Sequence, residues 1–392
     1  MLKSFQVIKK NVKPKLESRC IDNWVFRLHY RATTIIFFSA TILITLRDYI
    51  IGERIHCHND FKNKKLSKVI ETFCFFNGTF SVIDDHNSVY QKVSHSGFHG
   101  IRSYIEGSGQ TIQRHTYYQW IPYVLFIQGI VFYLTHSLWK SFEDGRINKL
   151  VASLHFPAFA LLDKEIKIGN QAIPTKEKRH ASIESLKDAF LKRRILNKSW
   201  ASWFVFFEIL NFFHVILQVY LTNVLLNKQF YSLGNNLLRE GAKVLDEVFP
   251  KLTKCTFHKY GHSGSIQTHD SICVLAHNAL NEKIYAFLWF WFVFLFAASC
   301  SILLWRVVTM ACSKNLKFNV LIFANVVQET VHPMSLNMLL KQFSFSEWLF
   351  LRYLSKNMNS KTFVEFLMKL AEDLQEKKSD KYMLLAMPNK LE

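Results

Sequence analysis

The feature that most constrains the fold is the stretch Ile284–Trp305, in which 22 consecutive residues include no Asp, Glu, Lys, Arg or His. A helix of this length, at ~1.5 Å per residue, crosses the ~30 Å hydrocarbon core of a bilayer. Lys283 and Arg306 bracket the stretch, and Tyr285 and three tryptophans lie within it, as expected of a helix anchored at the membrane interfaces. Buried helices of soluble proteins are seldom so long and so evenly apolar, so the stretch predicts a membrane protein.

Three further apolar stretches are long enough to span a membrane when the charged side chains at their ends extend to its surfaces. They are Ala32–Leu46, Gln119–Trp139 and Trp200–Leu226. Hydrophobic residues make up 49% of the chain, yet the mean hydropathy is only +0.06, because apolar blocks alternate with strongly polar segments. The sequence therefore predicts an all-α membrane protein with four transmembrane helices, at 31–48, 118–139, 200–226 and 284–306.

The charge of the segments outside these helices alternates along the chain. Lys and Arg exceed Asp and Glu by 6 in residues 1–31, by 2 in 47–118, by 6 in 140–199, by 2 in 227–283 and by 4 in 306–392. Because basic loops stay on the cytoplasmic side, both termini are predicted to be cytoplasmic. Most of the net charge of +19 thus lies in the segments predicted to be cytoplasmic. This location favours contact with membrane lipid over binding to nucleic acid. The predicted cytoplasmic segments are 1–30, 140–199 and 307–392, and the predicted extracellular loops are 49–117 and 227–283.

The distribution of the seven cysteines supports the same orientation. Cys57 and Cys74 lie in the first predicted extracellular loop, and Cys255 and Cys273 lie in the second. The other three lie on the cytoplasmic side or within a span. Two pairs confined to the oxidising side of the membrane are what disulfide bonds require, and the residues alone leave the pairing open.

The first 13 residues have an amphipathic pattern that ends at Pro14. Leu2, Phe5 and Ile8 recur on one side of a helix, whereas the lysines fall mostly elsewhere. The pattern fits a basic helix that lies on the anionic inner leaflet, and it also fits a helix folded into the mouth of a pore. Taken alone, these residues favour the helix on the lipid surface.

The first span carries several small hydroxyl side chains, which are Thr33, Thr34, Ser39, Thr41 and Thr45. A single one of these in a transmembrane helix usually marks tight packing against another helix. Five within 13 residues also suit a helix face that contacts water, so both interpretations stay open at this point.

Two motifs in the first extracellular loop are candidates for a metal site and for a glycosylation site. His56-Cys57-His58 has the residue types of a zinc site, but such a site needs further ligands, and a cysteine in a disulfide cannot be one. We therefore expect no metal there. Asn77-Gly78-Thr79 is an N-glycosylation sequon on the predicted outer face, and its use stays open.

Glu208 is the one acidic residue within the four apolar stretches. Carboxylates inside a membrane are costly unless they are paired, hydrated or protonated, so they often mark a functional site. A carboxyl group that hydrogen-bonds a neighbouring helix is an equally good explanation. Asn211, His214 and Gln218 follow at helical spacing, and this polar stripe is expected to face other helices rather than lipid.

The region after the fourth span contains a second helical pattern. Apolar residues recur at helical spacing through Phe345–Leu374, and Ser346 and Ser360 are plausible helix starts. The segment therefore predicts two helices that form a small cytoplasmic cap.

Several motifs together carry a resemblance to a known family. They are VFRLHY (Val25–Tyr30), YYQW (Tyr117–Trp120), LWKSFEDG (Leu138–Gly145), FFEILNF (Phe206–Phe212), FPKLTKCTFHKYG (Phe249–Gly261), SGSIQTHD (Ser263–Asp270) and NEKIYAFLWFWF (Asn281–Phe292). With these motifs in this order, the chain resembles the innexins, the gap-junction channel proteins of invertebrates. Viruses of parasitoid wasps carry innexin-like genes as well, so the resemblance leaves an insect and a viral source open.

The resemblance implies a subunit of four transmembrane helices with a helical cytoplasmic cap and two disulfide-crosslinked extracellular loops. It implies the pairs Cys57–Cys273 and Cys74–Cys255, and rings that dock through the crosslinked loops of two apposed cells. Each ring is expected to be octameric and to contain this chain alone or together with other innexins. The resemblance also implies that the pore is lined by the N-terminal helix and the first span, with Leu2, Phe5, Ile8, Thr33, Thr34 and Thr41 as candidates.

Three functions are compared. The first is a structural subunit of gap junctions at the plasma membrane, passing ions and small molecules between adjacent cells. The second is an undocked hemichannel that releases small molecules. The third, a membrane metalloenzyme, is disfavoured because the sequence has no HExxH motif or nucleophile elbow, and the spans offer little besides Glu208, His136 and His214 for chemistry. No enzymatic activity and no cofactor are expected.

Overall fold

Four helices in the part of the chain that the computed structural model describes are long and apolar enough to cross a membrane. The described residues are 21–51, 55–58, 64–82, 101, 111–151, 166–168, 171–173, 175–324 and 333–386. The apolar helices are Trp24–Arg47, Ile121–Glu143, Arg194–Leu225 and Asn278–Cys312. The prediction of a mainly helical membrane protein with four spans is confirmed.

The described elements are numbered in chain order. The helices are α1 (Trp24–Arg27, Leu28–Thr33 and Thr34–Ile51 in succession), α2 (Lys64–Asn77), α3 (Ile121–Glu143), α4 (Arg146–Val151), α5 (Lys176–Lys192), α6 (Arg194–Leu225), α7 (Phe230–Glu240), α8 (Lys243–Val248), α9 (Asn278–Cys312), α10 (Leu316–Ala324), α11 (Pro333–Gln342), α12 (Phe345–Ser355) and α13 (Ser360–Ala386). The strands are β1 (His56–His58), β2 (Thr79–Val82), β3 (Ile112–His115), β4 (Ile166–Ile168), β5 (Gln171–Ile173), β6 (Leu252–Tyr260) and β7 (Ile266–Val274).

The apolar helices differ in their limits from the predicted spans. α6 begins at Arg194 rather than at 200, and α9 runs from Asn278 to Cys312 rather than over 284–306. A helix satisfies its backbone hydrogen bonds internally, so it continues past the first charged residue. The apolar stretch in the sequence therefore predicts which part of a helix lies in the hydrocarbon core. The ends of the helix are determined separately, by local capping.

α1 contains a turn of π-helix over Leu28–Thr33, between two α-helical segments. The hydroxyl of Thr33 donates to the carbonyl oxygen of Leu28, five residues earlier, at 2.9 Å. π turns occur mostly as single turns inside α-helices and frequently lie at functional sites.

The chain divides into two compact units. Unit 1 takes its described residues from 1–26, 136–209 and 301–392, and unit 2 takes its described residues from 27–135 and 210–300. Unit 2 contains a five-stranded sheet in the order β1-β7-β6-β2-β3, in which all neighbours are antiparallel. The sequence analysis predicted only helices and loops, so this sheet is an addition to the expected architecture.

The helical part of unit 2 has an aromatic core. Phe37 of α1 lies 5.6 Å from Phe132 of α3 and 6.0 Å from Phe292 of α9, between ring centroids, and all three side chains are buried. Aromatic pairs at such distances add stabilisation beyond the burial of their area. These contacts hold three of the apolar helices together within the unit.

Unit 1 contains the predicted cap. The predicted pair of helices in Phe345–Leu374 is confirmed as α12 and α13. The first begins at Phe345, because the backbone N–H of Ser344 donates to Glu347 Oε2 at 2.8 Å and closes a capping box two residues before the expected start. Phe350 of α12 lies 5.3 Å from the ring of Trp200 on α6, so the cap packs on the start of an apolar helix.

Candidate functional site: a disulfide-linked lobe

Two disulfide bonds join segments that are far apart in the sequence. Cys57 on β1 is bonded to Cys273 on β7, and Cys74 on α2 is bonded to Cys255 on β6. These are the two pairs that the family resemblance implies. All four residues are buried, and Cys57 and Cys273 are also opposite each other in the β1–β7 register. We call β1, α2, β2, β3, β6 and β7, with their two disulfides, the lobe.

Polar contacts across the long hairpin of the lobe support its register. Thr256 on β6 is opposite Asp270 on β7, and its hydroxyl donates to Asp270 Oδ1 at 2.8 Å. Lys254 on β6 lies 3.4 Å from the other carboxylate oxygen of Asp270. Cross-strand pairs of this kind stabilise one alignment of two strands over its neighbours.

The end of the β6–β7 hairpin is the most exposed part of the lobe among the described residues. Tyr260 and Ile266, the last opposed pair, are 69% and 61% exposed. Gly264 in the connecting loop has a φ of +79°, which a glycine adopts without strain. Its N–H donates to the carbonyl oxygen of Gly261 at 3.0 Å. The hairpin thus ends in a tight, ordered turn with two large side chains beside it.

Buried hydrogen bonds connect the segments that follow β3 and precede β6 to the start of α9. The Asn278 amide donates to the Tyr117 hydroxyl at 3.0 Å and to the carbonyl oxygen of Pro250 at 2.8 Å. The Tyr117 hydroxyl in turn donates to the carbonyl oxygen of Val248 at 3.2 Å. Burial raises the pKa of Tyr117, so the phenol stays a hydrogen-bond donor.

His115 is a buried histidine at the edge of the lobe sheet. Its Nε2 lies 2.9 Å from the hydroxyl of Ser81, on the neighbouring strand β2. Burial lowers the pKa of His115 to about 4, because the imidazolium would lose its hydration. The side chain is therefore neutral at physiological pH.

The glycosylation candidate Asn77 is exposed and is the last residue of α2. Its position at the end of a helix, beside the turn at Gly78, leaves room for a glycan on the surface of the lobe. Whether a glycan is attached stays a prediction.

The lobe brings three cysteine sulfurs, of Cys57, Cys74 and Cys273, within 4.8 Å of one another. All three belong to the two disulfides, and a disulfide sulfur is not the thiolate that a metal ion requires. His56 and His58 alternate with Cys57 along β1, so their side chains leave the strand on the face opposite the cysteine. His56 Nδ1 lies 3.1 Å from a carboxylate oxygen of Glu71. The geometry of this motif therefore fits a disulfide-linked strand and not a metal site.

The pore-lining candidates of α1 have different surroundings. Thr33 is buried, and its hydroxyl accepts a hydrogen bond from Trp291 Nε1 of α9 at 3.0 Å. Thr34 is also buried and donates to the carbonyl oxygen of Gly129 on α3 at 3.3 Å. A side chain buried within one subunit presents no surface to a pore, so the pore-lining assignment of these two threonines is corrected to helix packing.

Thr41 is half-buried, and its hydroxyl donates to the carbonyl oxygen of Phe37 in its own helix. A role in lining a pore stays a prediction for this residue. Leu2, Phe5 and Ile8 lie outside the described residues, so their pore role also stays a prediction.

Within unit 1, Glu208 on α6 is paired with Arg306 on α9. Arg306 Nε donates to one carboxylate oxygen at 2.8 Å, and its NH2 group donates to the other at 2.6 Å. The Asn23 amide donates to the carboxylate at 2.5 Å, and the guanidinium lies over the ring of Phe204. The carboxylate is thus bound by neighbouring side chains, as one of the two explanations of Glu208 requires.

The remaining polar stripe of α6 belongs to unit 2 and is buried there. His214 Nε2 lies 2.9 Å from the Gln218 amide, and the ring of His214 packs 4.5 Å from that of Phe132. Asn211 is also buried, and no described residue hydrogen-bonds its side chain. The stripe faces protein, in agreement with the expectation from its spacing.

Comparison with known proteins covers nearly all of these elements. A sequence model of the family described as "Innexin" matches residues 22–374. The chain is 40% identical over 380 residues to innexin inx7 of Drosophila melanogaster, covering 95% of this chain and 85% of that protein. It is 35% identical over 373 residues to innexin inx2 of Schistocerca americana, covering 93% and 96%. The chain belongs to the innexin family.

Innexins are membrane proteins that form gap-junction channels, so the family is a channel family rather than an enzyme family.

Sequence reasoning on this innexin missed one residue of the buried ion pair. Arg306 was placed at the membrane interface because it ends the uncharged stretch, whereas its partner lies 98 positions earlier in the chain. An acidic residue in one span and a basic residue at the end of another is the signal that links them.

Proposed function

We propose that this innexin is a structural subunit of intercellular channels and that its lobe is the surface through which two channels of adjacent cells dock. The observation that carries the proposal is the pair of disulfides that joins the two lobe segments of the chain into one sheet. A docking surface must keep its shape before its partner arrives, because ordering it on contact would reduce the affinity.

The crosslinks supply this order. They connect residues 216 and 181 positions apart, so they remove much of the conformational freedom that two separate loops would have. Polar residues of β6 and β7 surround the exposed Tyr260 and Ile266 at the hairpin end, so the apolar side chains there do not form one large patch. A surface of this kind limits self-association before docking.

The alternating charge of the segments supports a plasma-membrane subunit at gap junctions with both termini in the cytoplasm and the lobe outside. In this orientation 49–117 and 227–283 are the extracellular loops, and 31–48, 118–139, 200–226 and 284–306 are the spans. The subunits form a ring, octameric by family resemblance, either from this chain alone or together with other innexins. The pore is lined by the N-terminal segment, with Leu2, Phe5 and Ile8, and by Thr41 of α1.

Recording from paired cells tests the proposal. When both cells of a pair express this chain, we expect a junctional current that is carried directly between the two cytoplasms. When only one cell expresses it, and the partner has no innexin, we expect no junctional current. A pair that couples equally well with one expressing cell would contradict docking between two innexin lobes.

An undocked hemichannel is the second candidate, and a glycan at the exposed Asn77 would favour it. A glycan at the surface of the lobe would hinder the close approach of two channels. Digestion of the purified protein with a glycosidase distinguishes the two functions. A mobility shift that disappears in Asn77→Gln supports the hemichannel, whereas an unshifted wild-type protein removes this argument.

A further inference from the structure

Unit 1 contains a cavity that the channel function does not explain. Its volume is about 350 Å³, which lies within the range of small-molecule sites. The cavity lies between the start of α1, the last third of α9 and the end of α12. The residues that matter for its chemistry are Trp24, Trp305, Arg306, Arg352, Tyr353 and Lys356.

The lining of the cavity has an excess of positive charge. The guanidinium of Arg306 is neutralised by its two hydrogen bonds to Glu208. Arg352 and Lys356 remain as further cations at the same cavity. Among the residues that the structure describes, no carboxylate lies within ion-pair distance of Arg352. An anion in the cavity would therefore meet the guanidinium of Arg352, which forms no ion pair with a described carboxylate, and the ammonium group of Lys356 beside it.

Arg352 is held in place by aromatic rings rather than by an ion pair with a described carboxylate. Its guanidinium lies over the rings of Trp305 and Trp348, at 5.9 and 5.7 Å from their centroids. Its Nε is shielded from solvent and has no hydrogen-bond partner in the described part of the chain. Burial lowers the pKa of Arg352, which means that the site disfavours an uncompensated cation. A bound anion would supply the missing acceptor for Nε and would add negative charge beside the guanidinium.

The types of residue at the cavity indicate which anion. A planar guanidinium binds phosphate through two parallel N–H donors, and a lysine adds a mobile point charge. Trp24 is 59% exposed and Trp305 is 38% exposed beside the cavity, and tryptophans with this exposure are typical of the level of lipid headgroups. Ile302 on α9 adds an apolar wall next to these rings.

We propose that this cavity binds the phosphate group of an anionic membrane lipid, with Arg352 and Lys356 as its ligands and the exposed tryptophans beside the acyl chains. Basic pockets between transmembrane helices on the cytoplasmic side are where anionic headgroups bind. The proposal adds to the channel function and uses the orientation proposed above. It does not depend on docking.

Thermal unfolding of the purified, assembled full-length protein in detergent tests the proposal. The probes are dioctanoyl phosphatidic acid, dioctanoyl phosphatidylcholine and glycerol phosphate, which is the soluble headgroup alone. We expect phosphatidic acid to raise the melting temperature with an affinity at least about tenfold above that of the zwitterionic lipid. Equal effects of the two lipids would overturn the proposal, and equal effects of glycerol phosphate and phosphatidic acid would overturn the assignment to lipid.

Three variants locate the site. Arg352→Gln is expected to weaken the binding of phosphatidic acid about tenfold, as loss of a charged hydrogen bond does, and Lys356→Gln to weaken it several-fold. Lys361→Gln changes an exposed lysine at the start of α13, outside the cavity, and is expected to leave binding unchanged. Because Lys356 is exposed, its variant reports on binding even if Arg352→Gln unfolds the cap. Unaltered binding in Lys356→Gln, or an equal loss in Lys361→Gln, would overturn the site.

Discussion

Glu208 and Arg306 show how an acidic residue is tolerated in a membrane-spanning helix. Both side chains are buried, and both oxygens of the carboxylate accept hydrogen bonds from one guanidinium. The free-energy cost of removing two charges from water is offset by their attraction only when both groups are fully hydrogen-bonded, as they are here. A buried pair of this kind therefore need not add net stability. Removal of one partner is far more harmful, because it leaves the other charge buried and unpaired.

Glu208→Leu is expected to lower the free energy of unfolding by about 3–5 kcal/mol, since Arg306 would remain as an isolated buried cation. The double variant Glu208→Leu with Arg306→Leu is expected to recover most of this loss. Thermal unfolding of the purified single and double variants measures the effect as a double-mutant cycle. Additive losses in the double variant would show that the two side chains do not act as a pair.

A second residue makes the lobe sensitive to acid. Because burial lowers the pKa of His115 from 6.5 to about 4, the unfolded chain binds a proton more tightly than the folded one does. The contribution of His115 to stability is therefore complete above about pH 6.5 and is lost progressively down to about pH 4, with an upper limit of about 3 kcal/mol. We expect the lobe to melt at lower temperature at pH 5 than at pH 7.

Hydrogen exchange of β2 and β3 at the two pH values measures this effect. His115→Gln is expected to reduce the difference in protection between pH 7 and pH 5. His58→Gln, which changes an exposed histidine on β1, is the matched control and should retain the difference. A dependence on pH that survives unchanged in His115→Gln would assign the sensitivity to another group.

At the scale of elements, the lobe marks the limit of what the sequence could predict. Uncharged stretches identified the four apolar helices, because lipid requires long runs without charge. The strands β6 and β7 were missed, although Gly261 and Gly264 between two runs rich in Thr, Phe and Ile are a hairpin signal. β1 and β2 are short and pair with segments far away in the sequence, so no local pattern specifies them.

The two disulfides are expected to be required for coupling. Cys57→Ser or Cys273→Ser would leave β1 joined to β7 by strand pairing alone, lower the stability of the lobe by about 2–5 kcal/mol and abolish current between paired cells. Cys300→Ser, which replaces a half-buried thiol of α9 that forms no disulfide, is the matched control and should couple normally. Normal junctional conductance in Cys57→Ser would refute the role of this bond in docking.

For the whole molecule, the proposed orientation rests on properties that act along the entire chain. The alternating charge of the loops favours one orientation, and the separation of disulfide-forming from free cysteines agrees with it. Contacts such as Arg306 with Glu208, or Thr33 with Trp291, could not be predicted because they depend on which helix faces meet. The hydroxyl pattern of α1 alone was compatible with packing and with a wet surface.

Epitope tags test the orientation of the whole chain. A tag inserted at His262, in the turn between β6 and β7, is expected to bind antibody on intact cells. A tag after Glu392 should bind antibody only once the cells are permeabilised. Staining of the C-terminal tag on intact cells would reverse the proposed orientation.

The π-helical turn at Leu28–Thr33 has a consequence for how α1 can move. Such a turn holds one residue more than an α-helical turn does, and each residue of an α-helix advances the helix by about 100°. If this turn relaxed to α-helix while its start stayed fixed, every side chain from Thr34 onward would swing around the helix axis by roughly that angle. Relaxation of this one turn would therefore exchange the side chains that α1 presents to its neighbours for a different set, without any break in the helix.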